Sequence, residues 1–297
     1  MRLVTFQADG APRLGAVVDE RVIDLARASD GRLPDSMLAF IEAGDSALSE
    51  ARELVARGGD GVELGRAKLL APIPRPRKNV FCLGLNYRDH AAEGARAMGI
   101  ELKLPEHPIY FSKPPTCVIG PNAAIVYDPD VTREVDWEVE FTLVIGRGGR
   151  DIPPERVYEH IFGYTVGNDV SARELQFRHG GQWFKGKSLD TFAPIGPWIV
   201  TADEVPDPSN LDVSLRVNGV EKQRSNTREF IFDIPAMVSG LAKGITLEAG
   251  DLIMTGTPHG VGFARQPPEF LQDGDVVEAE VAGIGVLRNP VSVRRGG

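Results

Sequence analysis

Short apolar runs, bounded by glycine, proline, asparagine or aspartate, recur along the chain after residue 78. These runs are Val80–Leu85, Ala124–Tyr127, Val139–Ile145, Phe162–Val166, Trp198–Val200, Leu211–Val217, Leu252–Thr255, Val276–Val281 and Gly285–Leu287. Runs of this length between turn residues are typical of β-strands, and few helical patterns separate them. Asn218-Gly219 predicts a two-residue hairpin turn. The sequence therefore predicts an α+β, β-rich fold, built as a sandwich or barrel with a few helices outside.

The first 72 residues are predicted to form a smaller module. Strands are expected at Leu3–Phe6, Leu14–Val18 and Val22–Leu25, and helices at Ser36–Glu42 and Ala47–Ala56. Three prolines between residues 72 and 76 are incompatible with a helix or a central strand, so they predict a linker. We therefore expect a small N-terminal α/β module at residues 1–72 and a larger domain at residues 78–297, which carries the candidate functional residues.

Charge and cysteine content argue against several classes of function. The chain of 297 residues has 33 Lys and Arg against 42 Asp and Glu, a formal net charge of −9. This balance disfavours binding to nucleic acid or to an anionic membrane, so neither partner is expected. The first ten residues do not resemble a signal peptide, and no apolar run reaches the roughly 20 residues that span a bilayer. A cytoplasmic protein is predicted, in which Cys82 and Cys117 are free thiols.

The segment Glu134–Ile145 alternates with a period of two, which places Asp136, Glu138 and Glu140 on one face of a strand. Beyond Glu140 both faces become apolar, so the strand enters a core and the acids lie at its mouth. Carboxylates about 5 Å apart repel by roughly 3 kcal/mol at an effective dielectric of 20. With no Cys or His in the segment, an oxygen-preferring divalent cation is the natural counter-charge. A solvated acidic face is the alternative.

A third carboxylate is predicted at a corner between a strand and a helix. Phe162–Val166 reads as a strand, and Ser171 with Glu174 fits a helix capping box, so Asp169 lies at the junction. Such a junction can aim a side chain into a site. An ordinary turn aspartate would give the same pattern.

A candidate general base follows the strand Val80–Leu85. If Asn86 caps a helix, His90 and Glu93 are i, i+3 neighbours on one helix face. A carboxylate that orients a histidine makes it a better base near neutral pH, whereas an exposed pair would have no such role. The polar stretch from Glu93 to Pro108 contains Gly94 and Gly99 and could be a mobile lid.

Two further segments can contribute to a site. Lys185 and Lys187 lie beside aromatic residues, and one of them could be a counter-charge for the acids or remain solvated. The glycine-rich loop from Gly256 to Gly262 does not have P-loop spacing, but its backbone amides could hold a carboxylate.

Together and in chain order, these motifs resemble the fumarylacetoacetate hydrolase family. The resemblance is carried by Gly84 to Glu93, Glu138-Val139-Glu140, Gly167 to Arg173, Gln182 to Ser188, Thr255 to Gly262, and Gly274-Asp275 through Gly283-Ile284-Gly285 to Asn289-Pro290. It covers about residues 78 to 291 and implies a mixed β-sandwich roll, with an N-terminal module similar to the extra domain of bacterial members. It also implies a homodimer and a divalent cation, usually Mg²⁺, with Mn²⁺ or Ca²⁺ as alternatives.

The resemblance assigns roles to individual residues. The metal ligands would be Glu138, Glu140 and Asp169, the acid–base pair His90 and Glu93, the lysine that holds the substrate Lys187, and the substrate-pocket residues Gln176 and Thr257. Some relatives supply a further acidic ligand just before the histidine, and residues 84–87 have none.

The expected activity is Mg²⁺-dependent hydrolysis of a C–C bond in an acylpyruvate-type β-diketo acid. The histidine–glutamate pair would activate a water to attack the distal carbonyl, and the cation would stabilise the enolate leaving group. Three acids, one dication and Lys187 would sum to about zero charge. Decarboxylation of oxaloacetate and isomerisation of a 2-hydroxy-dienedioate use a similar enolate without water and are alternatives. A catalytically silent metal-binding scaffold is the alternative from another class.

Overall fold

The computed structural model describes residues 1–294 and confirms a mixed α+β, strand-rich fold. The strands are β1 (Arg2–Ala8), β2 (Ala11–Val18), β3 (Arg21–Asp24), β4 (Val62–Glu63), β5 (Val80–Gly84), β6 (Ile109–Lys113), β7 (Val118–Ile119), β8 (Ile125–Tyr127), β9 (Val135–Asp136), β10 (Val139–Ile145), β11 (Ile161–Asn168), β12 (Ser171–Ala172), β13 (Ala193–Thr201), β14 (Asp212–Val217), β15 (Val220–Asn226), β16 (Leu252–Met254), β17 (Val276–Val281) and β18 (Gly285–Val293). The last three residues of the predicted domain at 78–297 lie outside the described part of the chain.

Six α-helices occur in residues 1–294. They are α1 (Leu25–Ala28), α2 (Met37–Ala56), α3 (Arg88–Met98), α4 (Arg173–Arg178), α5 (Phe184–Lys187) and α6 (Ile234–Ala242). Short 3₁₀ turns cover Leu64–Arg66, Pro115–Cys117, Pro154–His160, Ala202–Glu204, Thr227–Glu229 and Gly262–Ala264. In this part of the chain no helix has both the length and the apolar character needed to cross a membrane.

Eleven strands form the larger sheet, in the order β4-β3-β2-β1-β13-β11-β10-β16-β5-β6, with β7 paired to β13. Pairing is antiparallel except between β16 and β5 and between β13 and β7. Because β1 pairs with β13, the N-terminal strands extend the same sheet. The proline-rich segment that follows them is irregular but packed, since Thr5 Oγ1 donates to Pro72 O at 2.6 Å and Ile73 is buried.

A second sheet, in the order β15-β14-β17-β18-β8, packs against the larger one. The predicted Asn218-Gly219 turn joins β14 to β15. Both turn residues have positive φ, 52° and 76°, as a type I′ hairpin turn requires. The two sheets enclose the main hydrophobic core.

Strand β10 runs through the middle of this core, and all seven of its residues are buried. Phe141, Leu143 and Ile145 pack between the two sheets, whereas Val144 joins a second core that includes Phe40 of α2. The predicted entry of this strand into a core on both faces is therefore confirmed. Its N-terminal end carries the acidic residues.

The two predicted N-terminal helices both lie within α2, on either side of Gly44, whose φ of 67° and ψ of −151° interrupt the helix. The local capping predictions were less successful. Asn86 does not cap α3, because its side chain is buried and bonds to Phe232 and to Thr255 O. Ser171 does not cap α4 either: it belongs to β12, and its hydroxyl donates to Asp169 O at 2.9 Å. Tertiary hydrogen bonds have replaced the local ones that the sequence suggested.

The close approach of β11 to β13 allows the packing of the larger sheet to be tested. A Cβ atom at Gly163 would lie 2.3 Å from Val200 O and 2.8 Å from Ile199 Cγ2. Gly163→Ala should therefore lower the free energy of unfolding by about 1–3 kcal/mol, measured by urea denaturation. Gly65→Ala is the matched control, because nothing lies within 4 Å of its Cβ position. Equal losses in the two variants would contradict the observed packing.

Candidate active site

Three carboxylates meet where β10 begins and β11 ends. Glu138, Glu140 and Asp169 are all buried, and one oxygen atom from each lies within 4.8 Å of the others. The antiparallel register pairs Glu140 with Gly167, and Asp169 N donates to Glu138 O at 2.8 Å. This register brings the strand-end aspartate beside the two glutamates, as the sequence predicted. We call these three residues the acidic triad.

Two buried lysines contact the acidic triad. Lys187 Nζ lies 2.7 Å from both Glu138 Oε2 and Asp169 Oδ2. Lys113, at the end of β6, forms an ion pair with Asp169 Oδ1 and donates to Val170 O at 3.1 Å. Lys187 was a predicted site residue, whereas Lys113 was missed. The signal available for it was a lysine within an otherwise apolar strand, on the same face as Ile109 and Phe111.

An arginine completes the charges around the triad. Arg173 is buried, with Nη2 2.7 Å from Glu138 Oε1 and Nε 2.8 Å from Asp136 Oδ2. The continuous strand predicted for the three acids is interrupted: Asp136 lies in β9, which pairs with β12, whereas Glu140 lies in β10 and Glu138 between the two strands. Asp136 pairs with Arg173 and does not join the triad. Its charge and that of Arg173 therefore cancel.

The surroundings shift the pKa values of the two glutamates in opposite directions. Burial, together with the neighbouring charges of Asp169 and Glu138, raises the pKa of Glu140 well above its ordinary value. Burial also acts to raise the pKa of Glu138, but the positive charges of Lys187 and Arg173 outweigh it, so that pKa is lowered. The proton of the metal-free site therefore belongs on Glu140.

The donor set of the triad fits a hard divalent cation. All its ligand atoms are carboxylate oxygens, which Mg²⁺ and Mn²⁺ prefer. The three carboxylates exceed the two lysines by one negative charge, since Asp136 offsets Arg173. A proton on Glu140 balances this excess in the metal-free protein, and a dication would leave the cluster at about +1. The zero sum expected from the sequence is thus corrected, because Lys113 was not counted.

The predicted acid–base pair lies on α3. His90 Nδ1 is 3.7 Å from Glu93 Oε2, and the two side chains are only 10% and 15% exposed. Gly260 N donates to both Glu93 oxygens, at 3.0 and 2.9 Å. Burial acts to raise the pKa of Glu93, but the contacts with His90 and Gly260 outweigh it, so the pKa is lowered. His90 is close enough to Glu138 that its charge contributes to lowering the pKa of that carboxyl.

The glycine-rich loop holds carboxylates, as its sequence suggested. Gly256 N donates to Glu140 Oε2 at 2.7 Å, while Gly260 N holds Glu93. Gly262 N donates to Asp136 Oδ1 at 2.7 Å. All three carboxylates belong to the protein itself, so the amides of the loop fix the positions of the protein's own acidic side chains.

The two predicted pocket residues are buried and bonded to other side chains. Gln176 Oε1 accepts from Arg173 Nη1 at 2.9 Å, and Thr257 Oγ1 accepts from Gln223 Nε2 at 2.9 Å. Gln176 is thereby connected through Arg173 to Glu138. The region predicted as a lid consists of the end of α3 and an irregular segment that exposes Met98, Ile100 and Leu102.

Comparison with known proteins places this arrangement in context. Residues 79–292 match the family model described as fumarylacetoacetate (FAA) hydrolase C-terminal. The chain belongs to the fumarylacetoacetate hydrolase family. It is 41% identical to oxaloacetate tautomerase YisK of Bacillus subtilis, over 98% of this chain and 100% of the relative.

Two solved structures are also similar to this protein over nearly the whole chain. A putative HpcE protein from Mycobacterium smegmatis has a TM-score of 0.86 and 36% identity, with 99% of this chain and 100% of that chain covered. Maleylpyruvate hydrolase from Sphingobium sp. SYK-6, in complex with manganese (II) ion and pyruvate, has a TM-score of 0.79 and 31% identity, with the same coverage. The family assignment and the strand-rich fold are therefore confirmed.

Removing one triad carboxylate tests the metal site. Glu140→Ala should weaken Mn²⁺ binding by on the order of 100-fold or more, because one of three carboxylate ligands is lost. Isothermal titration calorimetry measures the affinity. Glu134→Ala is the control, since this half-buried glutamate lies on the same segment outside the triad. Unchanged Mn²⁺ binding in Glu140→Ala would show that the triad is not a metal site.

The raised pKa of Glu140 predicts a pH-dependent affinity. A cation must displace the proton that Glu140 holds below its raised pKa, so affinity should increase with pH by up to about tenfold per unit there. Calorimetry in buffers of different ionisation enthalpy should detect about one proton released per Mn²⁺. Binding without proton release in this range would contradict the assignment of the proton to Glu140.

Proposed function

We propose that this family member is a divalent-cation-dependent enzyme that interconverts the keto and enol forms of oxaloacetate or a closely related 2-oxo dicarboxylate. The observation that carries the proposal is a buried charge cluster that becomes positive with a cation, beside a histidine–glutamate pair. Similarity to oxaloacetate tautomerase YisK over the full length of both chains supports this substrate class. Tautomerisation of oxaloacetate therefore replaces hydrolysis of an acylpyruvate, the activity expected from the sequence, as the leading candidate.

The charge of the cluster favours an anionic substrate. With a dication, the triad, Lys113 and Lys187 would carry about one net positive charge in a largely buried region. An acid with two carboxylates is attracted to such a site because the low dielectric strengthens the interaction. We propose Mg²⁺ as the resident cation. A similar solved structure, maleylpyruvate hydrolase from Sphingobium sp. SYK-6, is a complex with manganese (II) ion and pyruvate, which supports a divalent cation.

Tautomerisation needs one proton to move between a carbon and an oxygen atom, and the chain supplies a pair suited to this. Glu93, with both oxygens held by Gly260 N, and His90 beside it provide a fixed acceptor and donor for that proton. Lys187 pairs with both Glu138 and Asp169, and Lys113 pairs with Asp169, so these ion pairs fix the orientation of the two carboxylates. A divalent cation, when bound, supplies the positive charge that stabilises an enolate oxygen.

Hydrolysis of acylpyruvate-type C–C bonds is the second candidate. A histidine oriented by a carboxylate can activate water, which tautomerisation does not require. Similarity to maleylpyruvate hydrolase supports this candidate. The two reactions differ in products, since hydrolysis releases pyruvate and tautomerisation leaves total oxaloacetate constant.

The central experiment follows enol-oxaloacetate by its ultraviolet absorbance. Protein treated with EDTA should be inactive, and Mg²⁺ or Mn²⁺ should restore the rate. His90→Ala should lower the rate by about 10²- to 10⁴-fold while Mn²⁺ binding is retained, because the residue moves the proton and does not bind the metal. Full activity in metal-free protein would refute the proposal.

Two controls separate the candidates. His160→Gln alters another buried histidine, whose Nδ1 lies 2.7 Å from Arg147 O beyond the far end of β10, and should leave the rate unchanged. A panel of acylpyruvates assayed for pyruvate release tests the hydrolase. Cation binding with no turnover of any 2-oxo acid would instead indicate a silent scaffold.

A further inference from the structure

Asp136 is a fully buried carboxylate that the proposed reaction does not use directly. Its oxygens accept hydrogen bonds from Trp137 N at 2.8 Å, Gly262 N at 2.7 Å and Phe263 N at 3.0 Å. Arg173 Nε adds a fourth donor at 2.8 Å. A buried charge with this many donors is an anchor whose partners are held in place.

The loop that Asp136 anchors is the one that holds Glu93. Within the Gly260–Phe263 loop, Gly260 N donates to both Glu93 oxygens, and Gly260 O accepts from Trp137 Nε1 at 3.1 Å. A Cβ atom at Gly262 would lie 2.7 Å from Asp136 Oδ1 and 2.0 Å from a backbone oxygen. This close approach explains why a glycine occupies the position. The loop is therefore fixed on one side by Asp136 and presents its amide to Glu93 on the other.

Arg173 extends the same network to the acidic triad. Its Nη2 lies 2.7 Å from Glu138 Oε1, and its guanidinium lies over the Phe263 ring, 4.5 Å from the centroid. Asp136 thus neutralises the arginine that contacts one metal ligand. Without this neutralisation, the arginine would add a positive charge beside the cation.

We propose that Asp136 is a positioning residue that orients Glu93 through the Gly260–Phe263 loop. This inference rests on the proton-transfer role proposed for Glu93. An asparagine of the same size would lose the charge and could accept fewer of the four donors. The loop would then hold Glu93 less firmly, although neither the base nor a metal ligand had been altered.

The first experiment compares Asp136→Asn with Asp251→Asn. Asp251 is also buried, accepting from Glu248 N at 2.8 Å and Lys78 Nζ at 3.2 Å, but it contacts neither the triad nor the loop. At saturating Mn²⁺, Asp136→Asn should lower kcat for oxaloacetate tautomerisation by about 10- to 100-fold. Hydrogen exchange in residues 259–265 should become faster. Asp251→Asn should change neither quantity, and equal effects of the two variants would overturn the proposal.

A double variant tests whether Asp136 acts through Glu93. If it does, adding Asp136→Asn to Glu93→Gln should change kcat by no more than about twofold at saturating Mn²⁺. Independent effects would multiply, and that result would refute the positioning role while leaving the proposed function intact. Full activity of Glu93→Gln would instead refute the proton-transfer role itself. If Asp136→Asn does not fold, Trp137→Phe takes its place in both experiments. This variant removes the hydrogen bond from Trp137 Nε1 to Gly260 O in the same loop, and the expected outcomes are the same.

Discussion

Mutual repulsion among three buried carboxylates is the constraint around which this site is arranged. Glu138, Glu140 and Asp169 lie within 4.8 Å of one another in a region where charges are weakly screened. Lys113 and Lys187 offset part of this repulsion, and the remainder is balanced by a proton or a cation. Burial and the charges of Asp169 and Glu138 raise the pKa of Glu140, so we expect this carboxyl to take that proton. A cation that bound to the acidic triad would therefore compete with this proton.

The order of the strands explains how distant segments reach this volume. Strands β11, β10, β16 and β5 are consecutive neighbours in the larger sheet. Asp169 follows the end of β11, Glu138 precedes the start of β10, Gly256 comes shortly after β16, and β5 leads into the helix that carries His90 and Glu93. All four segments therefore meet at one edge of the sheet. The site is therefore assembled by the strand order of the sheet, and no single sequence motif contains all of its residues.

The sequence predicted the carboxylates of the triad better than the cationic side chains that pair with them. Period-two alternation identified Glu138 and Glu140 because one face of a strand is fixed by local geometry. Lys113 and Arg173 were not predicted as triad partners, since their contacts join residues far apart in the chain. Asn86 and Ser171 resembled helix caps, but tertiary partners determined their bonds instead. Local rules specify periodicity, whereas such partners depend on the completed fold.

The two lysines also determine which ligands a loaded site can accept. Without them, three carboxylates and a dication would carry a net negative charge, and an anionic acid would be repelled. With Lys113 and Lys187 included, the net charge of the triad and a dication becomes positive. The two lysines that relieve repulsion among the carboxylates in the metal-free protein would therefore favour binding of an anion once a cation is bound. Lys187 contributes to both because it bridges Glu138 and Asp169, and its burial strengthens these interactions since the surroundings screen charge weakly. Under the proposed function, the stability of the metal-free site and the affinity for an acidic substrate would both depend on the same two ammonium groups.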